Sequence, residues 1–161
     1  MEKVFIALGG NIGNVSDNFE IAIEQIEKMI GPVVTQSSLY KTEPWGNKDQ
    51  EDFLNKVIIV ETSQTPGNVL KKILTIEKVM GRTRNKDNQF APRSIDIDIL
   101  FYGEKIINDD NLIIPHPRLH LRNFVLTPLM EIAPATIHPV FNKTIKNLFQ
   151  LNTDTSIAKK V

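Results

Sequence analysis

No cysteine occurs among the 161 residues, which excludes a disulfide framework, a thiolate metal site and a cysteine nucleophile. Neither sign of charge is in excess. Nineteen Lys and Arg balance nineteen Asp and Glu, so nothing global draws the chain toward nucleic acid or an anionic membrane. No apolar run reaches membrane-spanning length, and the run behind Met1-Glu2-Lys3 breaks at Gly9-Gly10, too soon for the core of a signal peptide. Internal repeats, low-complexity tracts and linker-like stretches are also missing. The expectation is a soluble, cytoplasmic protein with residues 1–161 as a single domain, long enough to form one core.

What is present reads as alternating elements. Residues 4–8 form a buried strand, closed by the turn-forming run Gly9-Gly10-Asn11-Ile12-Gly13-Asn14. Ser16 or Asp17 can cap the next helix, where Phe19, Ile23, Ile26 and Ile30 recur three or four apart before Gly31-Pro32 stops it. Residues 33–42 and 53–63 are rich in β-branched and aromatic side chains and read as two strands, joined by a polar loop holding the only tryptophan. Thr65-Pro66 opens a second helix, Val69, Ile73, Ile76 and Met80 supply its apolar stripe, and Gly81 ends it. A loop leads to the alternating strand Ile95-Asp96-Ile97-Asp98-Ile99-Leu100-Phe101-Tyr102, and Gly103-Glu104 turns the chain into a short strand at 105–107. A helix near 126–132 follows in a proline-punctuated remainder. The order predicts an α+β fold, a ferredoxin-like βαββαβ sandwich with a C-terminal extension.

Asp96 and Asp98 carry the strongest chemical signal. Residues two apart on a strand share a face, so both carboxylates project to one side, while Ile95, Ile97, Ile99 and Phe101 are expected on the other. Paired carboxylates on so apolar a strand are costly unless something positive meets them. Mg²⁺ meets that need, because it takes one or two carboxylates with phosphates and water, and two ions about 3.5–4 Å apart could share the pair. A solvated acidic face or arginine salt bridges are the alternative. The flanking loops are basic. Arg82, Arg84, Lys86 and Arg93 stand against Asp87 alone, and residues 112–122 hold His116, Arg118, His120 and Arg122 with no acid. Arginine donates bidentately to phosphate, so the set suggests a polyphosphate over metal. The glycine run lacks both nucleotide fingerprints and reads as a turn letting the backbone pass close to something. Tyr40 to Gly46 and Phe53-Leu54-Asn55 suit either a flat, hydrogen-bonding heterocycle or ordinary core aromatics.

Together the blocks Ile6-Ala7-Leu8-Gly9-Gly10-Asn11, residues 40–46, Asp52-Phe53-Leu54-Asn55, residues 77–84, Pro92-Arg93-Ser94-Ile95-Asp96-Ile97-Asp98-Ile99, and Pro115-His116-Pro117-Arg118 through Arg122-Asn123-Phe124-Val125-Leu126 resemble the 6-hydroxymethyl-7,8-dihydropterin pyrophosphokinase family. The resemblance implies a ferredoxin-like enzyme that transfers pyrophosphate from ATP to the hydroxymethyl group of 6-hydroxymethyl-7,8-dihydropterin, giving AMP and the pterin diphosphate in folate synthesis. It implies two Mg²⁺ ions on Asp96 and Asp98, with Arg82 and Arg93 also catalytic. Glu77, Arg82, Arg84, Arg93, His116, Arg118 and Arg122 would contact ATP. Phe53 and Phe124 would sandwich the pterin, whose edge Asn55 and the residues Thr42, Glu43, Pro44 and Trp45 would read. Phe90-Ala91 stands where the family usually has Trp-Gly, Glu43 where Pro is frequent, and Trp45 where an aliphatic residue often sits. A monomer that binds no nucleic acid and no membrane is expected. Two rivals are a metal-dependent phosphohydrolase using the same aspartates and a ferredoxin-like nucleic-acid-binding module.

Overall fold

The first apolar run folds as strand β1 (Glu2–Gly10) in the computed structural model, which describes residues 1–43, 52–81 and 95–161. Helix α1 (Val15–Met29), strands β2 (Val33–Gln36), β3 (Tyr40–Thr42) and β4 (Phe53–Thr62), helix α2 (Pro66–Val79) and strand β5 (Asp96–Tyr102) follow. The cap of α1 is Asn14, which accepts the Asp17 N–H at 3.2 Å, rather than Ser16 or Asp17. Thr65 caps α2 as expected, accepting the Asn68 N–H at 3.3 Å, with Pro66 in the first turn. Gly81 follows α2 at φ 88°, a left-handed value that favours glycine.

The strand expected over 33–42 is two strands. Between them the Ser37 N–H donates to Val57 O at 2.8 Å, and its hydroxyl, in place of a backbone carbonyl, accepts the Val57 N–H at 3.0 Å. Both β2 and β3 pair with β4. The sheet runs β10–β3–β4–β1–β5, where β10 is Lys159–Lys160, and every pairing in it is antiparallel.

Two apolar clusters lie on opposite faces of this sheet. On one, Phe19, Ile23 and Ile26 of α1 and Val69, Ile73 and Ile76 of α2 pack with Ile6, Leu8, Ile58, Val60, Ile97 and Ile99. On the other, Phe5, Val57, Ile59, Leu100 and Phe101 pack under helices α3 (Asn123–Ile132) and α4 (Ile145–Leu151). Phe101 therefore departs from its expected place beside Ile95, Ile97 and Ile99. Ile6 pairs with Ile99 but Phe5 with Phe101, so Leu100 is the extra residue of a bulge, and the alternation of β5 slips there.

Beyond β5, strand β6 (Ile107–Asn108) pairs with β7 (Ile113–Ile114), and β8 (Ile137–His138) with β9 (Lys143–Thr144). Helix α3 starts three residues before the expected 126, and the return of the tail as β10 beside β3 is not foreshadowed by any pattern. No described helix is long and apolar enough to cross a membrane.

Candidate active site

Directly opposed residues of an antiparallel sheet share a face. Asp96 opposes Gly9 on β1, Gly9 opposes Asn55 on β4, and Asn55 opposes Tyr40 on β3. The next row is Asp98, Ala7 and Val57. Both aspartates thus lie, half-buried, on the face that carries α3 and α4, beside positions where β1 offers only a hydrogen or a methyl group. The smallness of Gly9 has a visible cause. A Cβ there would sit 2.9 Å from the side-chain oxygen of Asn55.

Asn55 also donates to the hydroxyl of Thr42 at 3.4 Å, and Thr42 is 3% exposed and pairs with Phe53. Thr42, Phe53 and Asn55 therefore form one patch on the face that carries the Asp pair. Glu43, at its margin, is exposed.

Glu77 is 2% exposed in the last turn of α2, and its carboxylate accepts the Ile97 N–H at 2.8 Å. Strand β5 is an edge strand, so that N–H points away from β1. A carboxylate on a backbone N–H makes a strong bond, and here it pins the peptide that joins Asp96 to Ile97.

Along the same edge, the His116 N–H donates to Leu100 O at 2.9 Å, just after the cis Ile114–Pro115 bond. Its Nδ1 accepts the Arg118 N–H at 3.1 Å, so a neutral ring carries its proton on Nε2. Arg118 is exposed. At the start of α3 the Arg122 guanidinium lies 5.3 Å from the centre of the Phe124 ring, within cation–π range, and both residues are half-buried. Pro44, Trp45, Arg82, Arg84, Arg93 and the Phe90-Ala91 departure lie outside the described residues.

His120 does not join the basic set in which the sequence grouped it. It packs edge-on against Phe141 at 4.7 Å, and Phe141 stacks on His138 at 4.4 Å. Burial lowers the pKa of both imidazoles, that of His138 further through the neighbouring His120, so this is a neutral aromatic cluster. The reason is local: a 3-10 turn over Leu119–Leu121 separates His120 from His116.

Sequence reasoning also missed Glu131 and Asp154. Glu131 accepts from Ser38 N–H and hydroxyl at 2.7 Å each and from the Tyr40 hydroxyl at 3.1 Å, tying α3 to the strand that ends at Thr42. Burial pushes its carboxyl up, but those bonds and the Lys160 charge outweigh it and hold it low. Asp154 closes a turn on the Ser156 N–H at 2.9 Å, and its Asp-x-Ser spacing was the one available signal.

Among the described residues, no group of three or more His, Asp or Glu side chains gathers as a complete metal cage. Two carboxylates on one strand face beside small residues are a partial, all-oxygen donor set. That fits a hard cation such as Mg²⁺, which draws its other ligands from phosphate and water. The arrangement as a whole can present a bound anion beside the outer edge of β5 and a flat ring to the Phe53, Asn55 and Thr42 patch.

The family model of 7,8-dihydro-6-hydroxymethylpterin-pyrophosphokinase (HPPK) matches residues 5–134. The chain belongs to this family. The HPPK resemblance read from the sequence blocks is therefore borne out. The Aquifex aeolicus 2-amino-4-hydroxy-6-hydroxymethyldihydropteridine pyrophosphokinase is 38% identical over 153 residues, covering 95% of this chain and 94% of that protein. The Pneumocystis carinii folic acid synthesis protein fol1 is 43% identical over 159 residues, covering 97% of this chain but 21% of that protein. Among solved structures, wild-type Plasmodium falciparum HPPK-DHPS with STZ-DHP superposes with a TM-score of 0.76 at 19% identity, over 93% of this chain and 43% of that one. That likeness concerns the fold.

Proposed function

We propose that this HPPK chain transfers the pyrophosphoryl group of ATP to the hydroxymethyl oxygen of 6-hydroxymethyl-7,8-dihydropterin, releasing AMP. The observation that carries the reading is the single row Asp96, Gly9 and Asn55 across β5, β1 and β4, which supports reading a carboxylate-bearing strand and an amide-bearing strand as two sides of one site. The strand order β3–β4–β1–β5 with α1 and α2 on one face supports a ferredoxin-like arrangement over residues 1–161 as one domain. We read the protein as a cytoplasmic monomer.

Asp96 and Asp98 would hold two Mg²⁺ ions, which when bound supply positive charge to the phosphates and acidify the attacking hydroxyl. Glu77 keeps that pair in place through the Ile97 N–H. Phe53 and Phe124 enclose the pterin ring, while Asn55, Thr42 and the 43–45 segment, with Glu43, Pro44 and Trp45, recognise its edge. His116, Arg118 and Arg122 approach the phosphates from the β5 edge, and Arg82, Arg84 and Arg93 neutralise charge on the transferred and leaving groups. Such transfer needs positioning and charge compensation more than covalent help from the protein. No described side chain stands out as a general base.

The test is AMP formation from ATP and Mg²⁺ with and without the pterin, followed by chromatography. Pterin-dependent AMP with matching pterin diphosphate is expected. Pterin-independent ADP or AMP would identify a phosphohydrolase instead, and an absence of turnover would overturn the reading.

A further inference from the structure

The tail beyond α4 is tied to the segment that carries Arg122 and Phe124. Helix α3 has no cap of its own, since Arg122 occupies the cap position and makes no capping bond. The acceptor comes from 31 residues away, where the Asp154 carboxylate takes the Asn123 N–H at 2.9 Å. It thereby satisfies the first N–H of the helix and sets a negative charge at the positive end of its dipole. The Asn123 side chain is fully engaged as well. Its amide donates to Asp154 O at 3.0 Å and Ser156 O at 2.7 Å, and its oxygen accepts from Asn152 at 2.7 Å.

The turn that makes these bonds is itself held. The Asp154 N–H donates to the Asn152 side chain at 3.2 Å, and the Asp154 carboxylate accepts the Ser156 N–H at 2.9 Å and hydroxyl at 2.8 Å. Burial pushes the Asp154 carboxyl up, but the bonds from Asn123 and Ser156 outweigh it and keep it ionised. Past this knot the tail pairs Lys159 and Lys160 with Lys41 and Tyr40 of β3, the strand that ends at Thr42. One tail thus braces both the α3 and the β3 side of the site, and all of it lies outside the 5–134 span of the family match.

We propose that Asp154 is a positioning residue: by capping α3 through Asn123 it fixes the directions in which Arg122 and Phe124 face ATP and the pterin. This rests on the roles given to those two residues above. Losing the cap would fray the first turn of α3, and Asn123 and Phe124 are in that turn with Arg122 at its entry. The chemistry at Asp96 and Asp98 would be left intact.

Initial rates with each substrate varied, together with thermal unfolding, test this on Asp154→Ala, Asp154→Asn, Arg122→Ala, Phe124→Ala and Thr62→Val. Thr62 bonds Ile30 O at 2.9 Å at the far end of β4, so its valine variant lowers the melting temperature without moving either KM. Asp154→Ala is expected to raise KM for both substrates roughly fivefold, the scale of a lost helix cap, with kcat within about twofold. Asp154→Asn keeps an oxygen for the Asn123 N–H and should recover part of the shift.

A melting temperature lowered as in Thr62→Val with both KM values unmoved would leave the tail a purely structural element and overturn the proposal. So would a fall in kcat at constant KM. If Arg122→Ala and Phe124→Ala also leave KM flat, the site assignment fails and the proposal with it; if they raise KM while Asp154→Ala does not, the proposal alone fails. Should Asp154→Ala not fold, Ser156→Ala removes only the 2.8 Å hydroxyl bond to Asp154. It should still raise KM, by roughly twofold, the scale of a weak single hydrogen bond, and a flat KM would overturn the proposal.

Discussion

Replacing Gly9 with alanine separates the stability of the sheet from the shape of the site. The added Cβ would lie 2.9 Å from the Asn55 side-chain oxygen and 3.9 Å from Leu54 O, so only the Asn55 amide is forced to move. That oxygen ends a rotatable side chain, and turning it about 30° off its rotamer costs roughly 0.5–1.5 kcal/mol. Exchanging glycine for alanine where the backbone allows it returns roughly 0.4–1 kcal/mol through the unfolded chain. The two nearly cancel, and urea unfolding should change by less than about 1 kcal/mol. Binding should respond more. A displaced Asn55 loses its hold on Thr42 and, if it reads the pterin edge as proposed, at least one hydrogen bond to it, roughly 0.5–1.5 kcal/mol, or about two- to tenfold in the pterin KM. The ATP KM should move by less than about twofold, since the residues proposed to meet its phosphates lie elsewhere. AMP formation with each substrate varied at saturation of the other, alongside urea unfolding, measures all three. An unchanged pterin KM would refute the role of Asn55, and destabilisation beyond about 2 kcal/mol would refute the claim that its amide yields.

Asp96→Ala and Asp98→Ala should each lower kcat at least about 100-fold, the scale of one preorganised charge contact; near-normal turnover at saturating Mg²⁺ would contradict the assignment. Glu77→Ala should destabilise the chain by about 1–3 kcal/mol because it removes the buried carboxylate that accepts the Ile97 N–H, whereas Glu77→Gln keeps an acceptor and should lose less than half as much. Equal losses in urea unfolding would sink that account. Stability should also fall between pH 7.5 and pH 5.5. Burial lowers the pKa of His120 and His138 in the fold, so below the ordinary histidine value of about 6.5 the unfolded chain binds protons that the folded one refuses. The contribution is complete above that pH and is lost on acidification toward the folded pKa values. Urea midpoints that rise on acidification would reverse the sign, and His120→Phe should flatten the slope.

The β-α-β-β-α-β order was legible because helix and strand periods differ and because Thr65-Pro66, Gly31 and Gly81 punctuate it. The Asp pair was legible for the same reason, since a period of two puts Asp96 and Asp98 on one face whatever the tertiary context. Four features escaped. The break at Ser37 depends on a hydroxyl replacing a carbonyl, which leaves no mark on hydrophobic pattern. The bulge at Leu100 falls in the apolar run Leu100-Phe101-Tyr102, where a slip of one residue changes which side faces which core without changing the alternation. His120 was grouped with arginines by adjacency, but adjacency in a 3-10 turn does not fix direction. The clamp on α3 escaped because its partners, Asn123 and Asp154, are 31 residues apart in polar sequence.

The placement of the site follows from where the second apolar cluster ends. Leu100, Phe101, Val57 and Ile59 fill the sheet face beneath α3 and α4, and the row of Asp98, Ala7 and Val57 is where that filling thins. One row further the face carries Asp96, Gly9 and Asn55, which offer charge, space and an amide but no apolar bulk. Phe53 stands two residues from Asn55 on the same face of β4, and Phe124 packs against the second cluster, both half-buried. Polar groups left at the end of a core, with aromatic residues on the same face, are what a flat and polar substrate can complete. The elements around this row are each tied by a carboxylate: β5 by Glu77, the start of β3 by Glu131 and α3 by Asp154. Each of these three carboxylates thus holds backbone on an element that borders the row of Asp96, Gly9 and Asn55.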